Sequence, residues 1–163
     1  MDKNYVTQQF IEEFGRNPEF FQSAPGRVEL LGNHTDHQGG KVLAASVRMT
    51  MDAAFSPNNG SVINILSEGF PAIHVDLNDL QPRINEAGSS TALVRGVATG
   101  VAQALAKKMQ ATNPKGFAEA TPDITSAGFD AFITSHVLPG SGLSSSAAFE
   151  VLIGRILRQT LEM

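Results

Sequence analysis

Two short runs hold most of the residues able to bind, polarise or move charge. The first, APGRVELLGNHTDHQGGKVLAASV over residues 24–47, sets Arg27, Glu29, His34, Asp36 and His37 between apolar segments. Three chemistries are open to it. His34-x-Asp36-His37 has the donor types of a divalent-metal site, although the spacing is not the i, i+4 pair of a helix face and no distant third ligand stands out. A solvated turn accounts for the polarity and for Gly39-Gly40. A polyol cradle accounts for the mixture itself. Carboxylates and imidazoles exchange hydrogen bonds with several hydroxyls, and Arg27 adds a fixed positive charge beside them.

The second run, LPGSGLSSSAAFE over residues 138–150, reads as a strand end, a tight turn and a helix start. Gly140 and Gly142 let the backbone turn without a Cβ in the way. Ser144, Ser145 and Ser146 then stand at the helix entrance, where backbone N–H groups lack intrahelical acceptors and the dipole is positive. Such an entrance suits an anion, phosphate above all. The run is not a Walker A loop, since no Gly-Lys-Ser/Thr follows the glycines. Nor is it the dinucleotide GxGxxG pattern, since Ser145 stands where the third glycine belongs. A serine-capped helix with nothing bound is the simpler alternative. Neither run settles a function by itself.

The surrounding pattern supplies the elements that must carry these runs. Val6, Phe10, Ile11 and Phe14 predict a helix over residues 4–14, with Gly15 as its stop. Strands are expected from Phe20, with an interruption at Ala24-Pro25-Gly26, and then from Val42 towards Phe55. Pro57-Asn58-Asn59-Gly60 reads as a hairpin turn into a strand over residues 61–66, and residues 72–77 suggest another. Leu93, Val94, Val97, Val101, Leu105 and Ala106 form one face of a helix over residues 91–109, with Lys107 and Lys108 in its last turn. Residues 113–128 read as a loop, 129–138 as a strand and 146–161 as a helix. The order α-β-β-β-β-α-β-α predicts an α+β fold, with helices packed on one side of a mixed β-sheet.

Composition narrows the class. A chain of 163 residues, 42% apolar and 17% charged, is long enough for one domain with a proper core. The net charge of −4 and the lack of any basic cluster beyond Lys107-Lys108 argue against a nucleic-acid partner. There is no cysteine, hence no disulfide framework and no thiolate metal site, which fits a reducing, cytoplasmic setting. No apolar run reaches the roughly 18–20 residues that span a bilayer, and the N-terminus lacks a signal-peptide core.

Taken together, the two runs carry a resemblance. PGRVELLGNHTDHQGG is similar to the galactokinase signature, and LPGSGLSSSAA is similar to the phosphate loop of the GHMP small-molecule kinases. GFDAFITSHVLPGSGLSSSAAFE as a whole resembles the corresponding strand-loop-helix of galactokinases. The resemblance implies the N-terminal GHMP kinase domain (ribosomal protein S5 domain 2-like) over residues 1–163, and ATP-dependent phosphorylation of the anomeric C1 hydroxyl of galactose. It gives Arg27 the catalytic position at the reacting end of the sugar. Glu29, Asn33, His34, Asp36 and His37 fall in the sugar-binding segment, and Pro139, Gly140, Ser141, Gly142, Leu143, Ser144, Ser145 and Ser146 in the ATP-phosphate loop, with Ser146 on the Mg²⁺ side.

Two positions depart from the family pattern. Asn33 replaces the acidic residue that faces the sugar's C6 hydroxyl in galactokinases, and Glu29 replaces an asparagine. The first change predicts tolerance of a C6-oxidised sugar such as galacturonate. His37 stands where an aromatic is usual. The family's catalytic aspartate, its acidic Mg²⁺ ligand and its second domain fall beyond Met163, so the resemblance implies a truncated chain, inactive alone and inclined to self-associate through exposed apolar surface. A non-catalytic sugar and ATP sensor fits the same motifs. A GHMP kinase for another hydroxylated metabolite, such as mevalonate or homoserine, fits the phosphate loop but not the His-Thr-Asp stretch.

Overall fold

A computed structural model describes residues 2–32, 39–112 and 123–162. The chain opens with α1 (Lys3–Phe14). Its start is fixed by Asp2, whose Oδ1 accepts the Tyr5 N–H at 3.2 Å. Its end is fixed by Gly15 in the left-handed region at φ 67°, with its N–H bonded to the Ile11 carbonyl. There follow β1 (Phe20–Leu31), β2 (Leu43–Pro57), β3 (Val62–Ser67), β4 (Phe70–Asp76), a short 3₁₀ turn (Ile84–Glu86), α2 (Ser90–Thr112), β5 (Phe129–Ser135) and α3 (Ser145–Leu161). The order matches the sequence pattern. The helix α2 runs past Met109, so Lys107 and Lys108 stand short of its last turn, which holds no basic residue.

The sheet order is β1-β2-β5-β3-β4, with every neighbouring pair antiparallel except β3–β5. Pro57–Gly60 is therefore not a hairpin turn. The strands it joins are separated by β5, and the link crosses the end of that inserted strand. Asn58 makes the crossing specific. Its N–H donates to the Gly128 carbonyl, and its side-chain amide donates to Val62 O and to Asp130 Oδ1. Gly128 returns a bond to the Gly60 carbonyl at 2.9 Å, and any Cβ there would collide with that carbonyl. Asp130 also accepts from Asn64 (2.8 Å) and from Arg16 (2.8 Å), tying β3, β5 and the α1–β1 link into one knot.

The helices occupy both faces of the sheet, not one. The larger core packs α2 and α3 on Ala53, Phe55, Ile63, Ile65, Ala131 and Ile133. On the opposite face Val6 and Phe10 of α1 pack on Ala54 and Phe132. The reason lies in β2. Its residues Met51–Ser56 are all buried, as befits a strand covered on both sides, and the small Ala53 and Ala54 let helices approach from each. The segment between β4 and α2 is held by Arg95, which is 3% exposed and donates to Glu86 Oε2 and Oε1 and to the Asp79 carbonyl.

Candidate functional site

The second run begins where β5 ends. Ser135 and Val137 close a small turn through paired hydrogen bonds, and the His136 N–H holds the Thr50 carbonyl of β2. Gly140 (φ 75°) and Gly142 (φ 74°) take the left-handed conformation that the reversal needs. Ser144 does so as well, at φ 57° and ψ 53°, without glycine's freedom. Its hydroxyl makes no capping bond to α3. The first intrahelical bond runs from the Ala148 N–H to the Ser144 carbonyl. The N–H groups of Ser145, Ser146 and Ala147 thus have no acceptor among the described residues. The serine-capped helix is overturned in favour of an open, donor-rich entrance. Three unspent amides at the positive end of a 17-residue helix fit a phosphate.

The first run meets this loop directly. The Arg27 N–H donates to the Leu143 carbonyl at 2.9 Å. Gly26 lies buried in the contact. A Cβ there would stand 3.0 Å from Leu143 O and 3.2 Å from side-chain carbons of Val137 and Val47. Glycine is what lets β1 approach so closely. The Arg27 side chain is exposed, and Glu29 two residues on is half-buried. Asn33, His34, Asp36 and His37 lie outside the described residues, and with them the metal reading of the His-Asp-His stretch. Both ends of their segment are fixed close together, since Gly32 (φ 90°) packs so tightly that a Cβ would lie 2.5 Å from the Lys41 carbonyl. Among the described residues no three His, Cys, Asp or Glu side chains form a metal-binding group.

One feature of the site escaped the motif reading. A cavity of roughly 220 Å³ opens beside the α3 entrance. Met51, Ile73, Leu93, Ile133, Val137 and Phe149 line it, and Ser67, Ser90, Ser135, Ser145 and Ser146 are also part of its wall. A slot whose floor is apolar and whose wall carries five serines and Glu68, next to a helix end with open amides, suits a flat, ring-shaped group attached to a phosphate chain. The only sequence signal was indirect: Ser67, Ser90 and Ser135 each close or open an element beside apolar residues. Their convergence depends on β5 lying between β2 and β3.

The fold is that of the GHMP kinases. The Methanococcus jannaschii mevalonate kinase superposes with a TM-score of 0.63 at 17% identity, over 87% of this chain and 40% of its own. In both sequence and structure the chain is similar to galactokinases. The galactokinase galactose-binding signature matches residues 8–57. The Lacticaseibacillus casei (strain BL23) galactokinase is 31% identical over 166 residues, which is 99% of this chain and 38% of that protein. The Chloroflexus aurantiacus enzyme is 35% identical over 89% of this chain and 32% of its own. The crystal structure of Lactococcus lactis galactokinase complexed with galactose aligns with a TM-score of 0.71 at 27% identity, covering 98% of this chain and 37% of that one. The chain thus spans well under half the length of the relatives it matches. No helix among the described residues is long and apolar enough to cross a membrane.

Proposed function

We propose that this chain forms the sugar-binding and phosphate-binding part, the N-terminal GHMP domain, of an ATP-dependent galactose 1-kinase. The single observation that carries the reading is the Arg27–Leu143 hydrogen bond, which joins the sugar signature to the phosphate loop. Sugar and nucleotide held by these two runs would meet at Arg27.

In this reading the amides of Ser145, Ser146 and Ala147 hold the ATP phosphates, and the cavity beside them takes the base. Arg27 stands at the junction, where a guanidinium stabilises charge that builds on the transferred phosphoryl group. Glu29, Asn33, His34, Asp36 and His37 hold the sugar hydroxyls, which orients the C1 hydroxyl for in-line attack. Mg²⁺ bound with ATP would supply charge neutralisation for the phosphates, and the Ser146 hydroxyl would be this chain's group toward it. The aspartate general base and a carboxylate for the metal belong to the length of the relatives that this chain does not span. Losing a general base alone costs about 10²–10⁴ in rate, so these 163 residues by themselves are expected to bind both substrates with little turnover.

Calorimetry with galactose and with Mg²⁺·ATP tests this. Each is expected to bind, with His34→Ala abolishing only the sugar and Gly140→Val only the nucleotide. Binding of neither would refute the site, and phosphorylation of galactose by the chain alone would refute the division of labour.

A further inference from the structure

The cavity at the α3 entrance has two unlike ends. Pro139, Ser145 and Ser146 line it where α3 begins, and that entrance is tied to β1 through the Arg27–Leu143 bond. Phe70 lines it too, and Phe70 starts β4, the strand farthest from β1 in the order β1-β2-β5-β3-β4. Neighbouring strands stand about 4.8 Å apart, so the strands that carry Met51 and Phe70 are separated by roughly 14 Å across the cavity floor. That span takes a ribose and a ring in line after a phosphate held at α3. Phe70 also differs from the rest of the apolar wall. Met51, Ile73, Ile133, Val137 and Phe149 are at most 9% exposed, whereas Phe70 is 55% exposed. Its ring is apolar area that folding leaves in water and that a flat ligand would cover.

The polar side chains at this end do not prescribe one base edge. Glu68 belongs to the wall, but its carboxylate is turned to the opposite face of the sheet. Its Oε2 accepts from Thr134 Oγ1 at 3.3 Å, and Thr134 alternates in β5 with Ile133 and Ser135, which line the cavity. Ser135 spends its hydroxyl on the main chain of Val137, donating to the carbonyl and accepting from the N–H. Ser67 and Ser90 remain, and a hydroxyl turns to donate or to accept as the ligand requires. Resting on the reading above that the cavity takes the base, we infer that Phe70 stacks on the base of the nucleotide, and that the base is selected by the face of its ring rather than by its edge. The amine of adenine and the carbonyl of guanine are then served equally by Ser67 and Ser90, so GTP is accepted along with ATP.

Calorimetry of the 163-residue chain with Mg²⁺·ATP, Mg²⁺·GTP and Mg²⁺·tripolyphosphate, which has no base, tests both parts. The wild type is expected to bind ATP and GTP within about threefold of each other, and tripolyphosphate about tenfold or more weaker. Phe70→Ala, at an exposed position, should melt like the wild type, lose about tenfold for both nucleotides and leave tripolyphosphate unchanged. Phe70→Tyr keeps a ring and should keep both affinities, whereas Phe70→Leu, apolar without a flat face, should fall with the alanine variant. Unchanged nucleotide binding in Phe70→Ala, an equal loss for tripolyphosphate, or wild-type affinity in Phe70→Leu overturns the stacking role. GTP more than about tenfold weaker than ATP overturns selection by the ring face. A wild type that binds ATP and tripolyphosphate alike takes the base out of the cavity and leaves the phosphate entrance standing. Failure of all three ligands to bind removes the proposed nucleotide site itself.

Discussion

Gly26→Ala probes the junction between the two runs with a single methyl group. Gly26 is not in the left-handed region, so the substitution brings no backbone strain and acts through packing alone. The new Cβ meets a main-chain oxygen, Leu143 O, at 3.0 Å, together with Val137 and Val47 at 3.2 Å. A carbonyl on a turn that is itself bonded to Arg27 retreats less readily than a side-chain tip. Overpacking of this kind costs about 1–3 kcal/mol, and loosening the Arg27–Leu143 bond adds about 1 kcal/mol. A net loss of about 2 kcal/mol lowers the melting midpoint of a chain this size by roughly 4–8 °C. The same retreat moves the α3 entrance away from β1, so Mg²⁺·ATP affinity should fall about three- to tenfold by calorimetry. Gly140→Ala is the control. It has open space around its Cβ but a φ of 75°, so it costs about 1 kcal/mol through conformation, with no steric push on the junction. If Gly26→Ala melts and binds ATP like the wild type, the two runs do not depend on that contact and the argument for a joint site fails.

Three further outcomes follow. Ser144→Gly relieves a left-handed serine and should raise the melting midpoint by roughly 1–4 °C, from about 0.5–1 kcal/mol; a fall would show that the hydroxyl contributes more than the backbone strain costs. Asp130→Ala strips the acceptor from Asn58, Asn64 and Arg16, and should cost about 3 kcal/mol, or roughly 6–12 °C in a thermal melt; an unchanged midpoint would show the crossing link to be held by other means. Acid sensitivity has a defined sign. Hydrogen bonds from Arg83 hold the Asp79 carboxyl below its ordinary range, and those from Arg95 do the same for Glu86. At Asp130 burial pushes upward, but Asn64, Asn58 and Arg16 outweigh it and the net direction is down. Folded carboxyls thus release protons more readily than unfolded ones, so their contribution is complete above the ordinary carboxylate range near about 4 and is lost as pH falls below it. Melting midpoints should be level near neutrality and drop from about pH 4 downward; a rise on acidification would contradict the assignments.

The elements were legible because each is written locally. Phe10 and Phe14 declare a helix, Gly15 ends it, and the alternation of FDAFITS declares a strand. The glycine-serine run also declared its turn and its helix, and the structure adds only that Ser144 leaves the amides open. Position in the sheet was not legible. Nothing within Pro57–Gly60 distinguishes a hairpin from a crossing, because the difference is made by Asp130, some 70 residues later, receiving the Asn58 amide. The two-sided burial of β2 was hidden for a related reason. Ala53-Ala54 is compatible with either face, and only the packing of Val6 and Phe10 behind it shows that both are covered. The cavity beside α3 is likewise a product of assembly, since its walls come from four separate strands and two helices.

Placing β5 between β2 and β3 carries a consequence for how the molecule comes into being. During synthesis, the β1–β2 and β3–β4 ribbons emerge as two pieces that share no backbone ladder, and the seam between them stays open until residues 129–135 arrive. Its closure draws in partners 66 or more residues distant, a slow event by the standards of local contacts. An exposed, half-built sheet with raw edges is then the species most in need of protection in the cell.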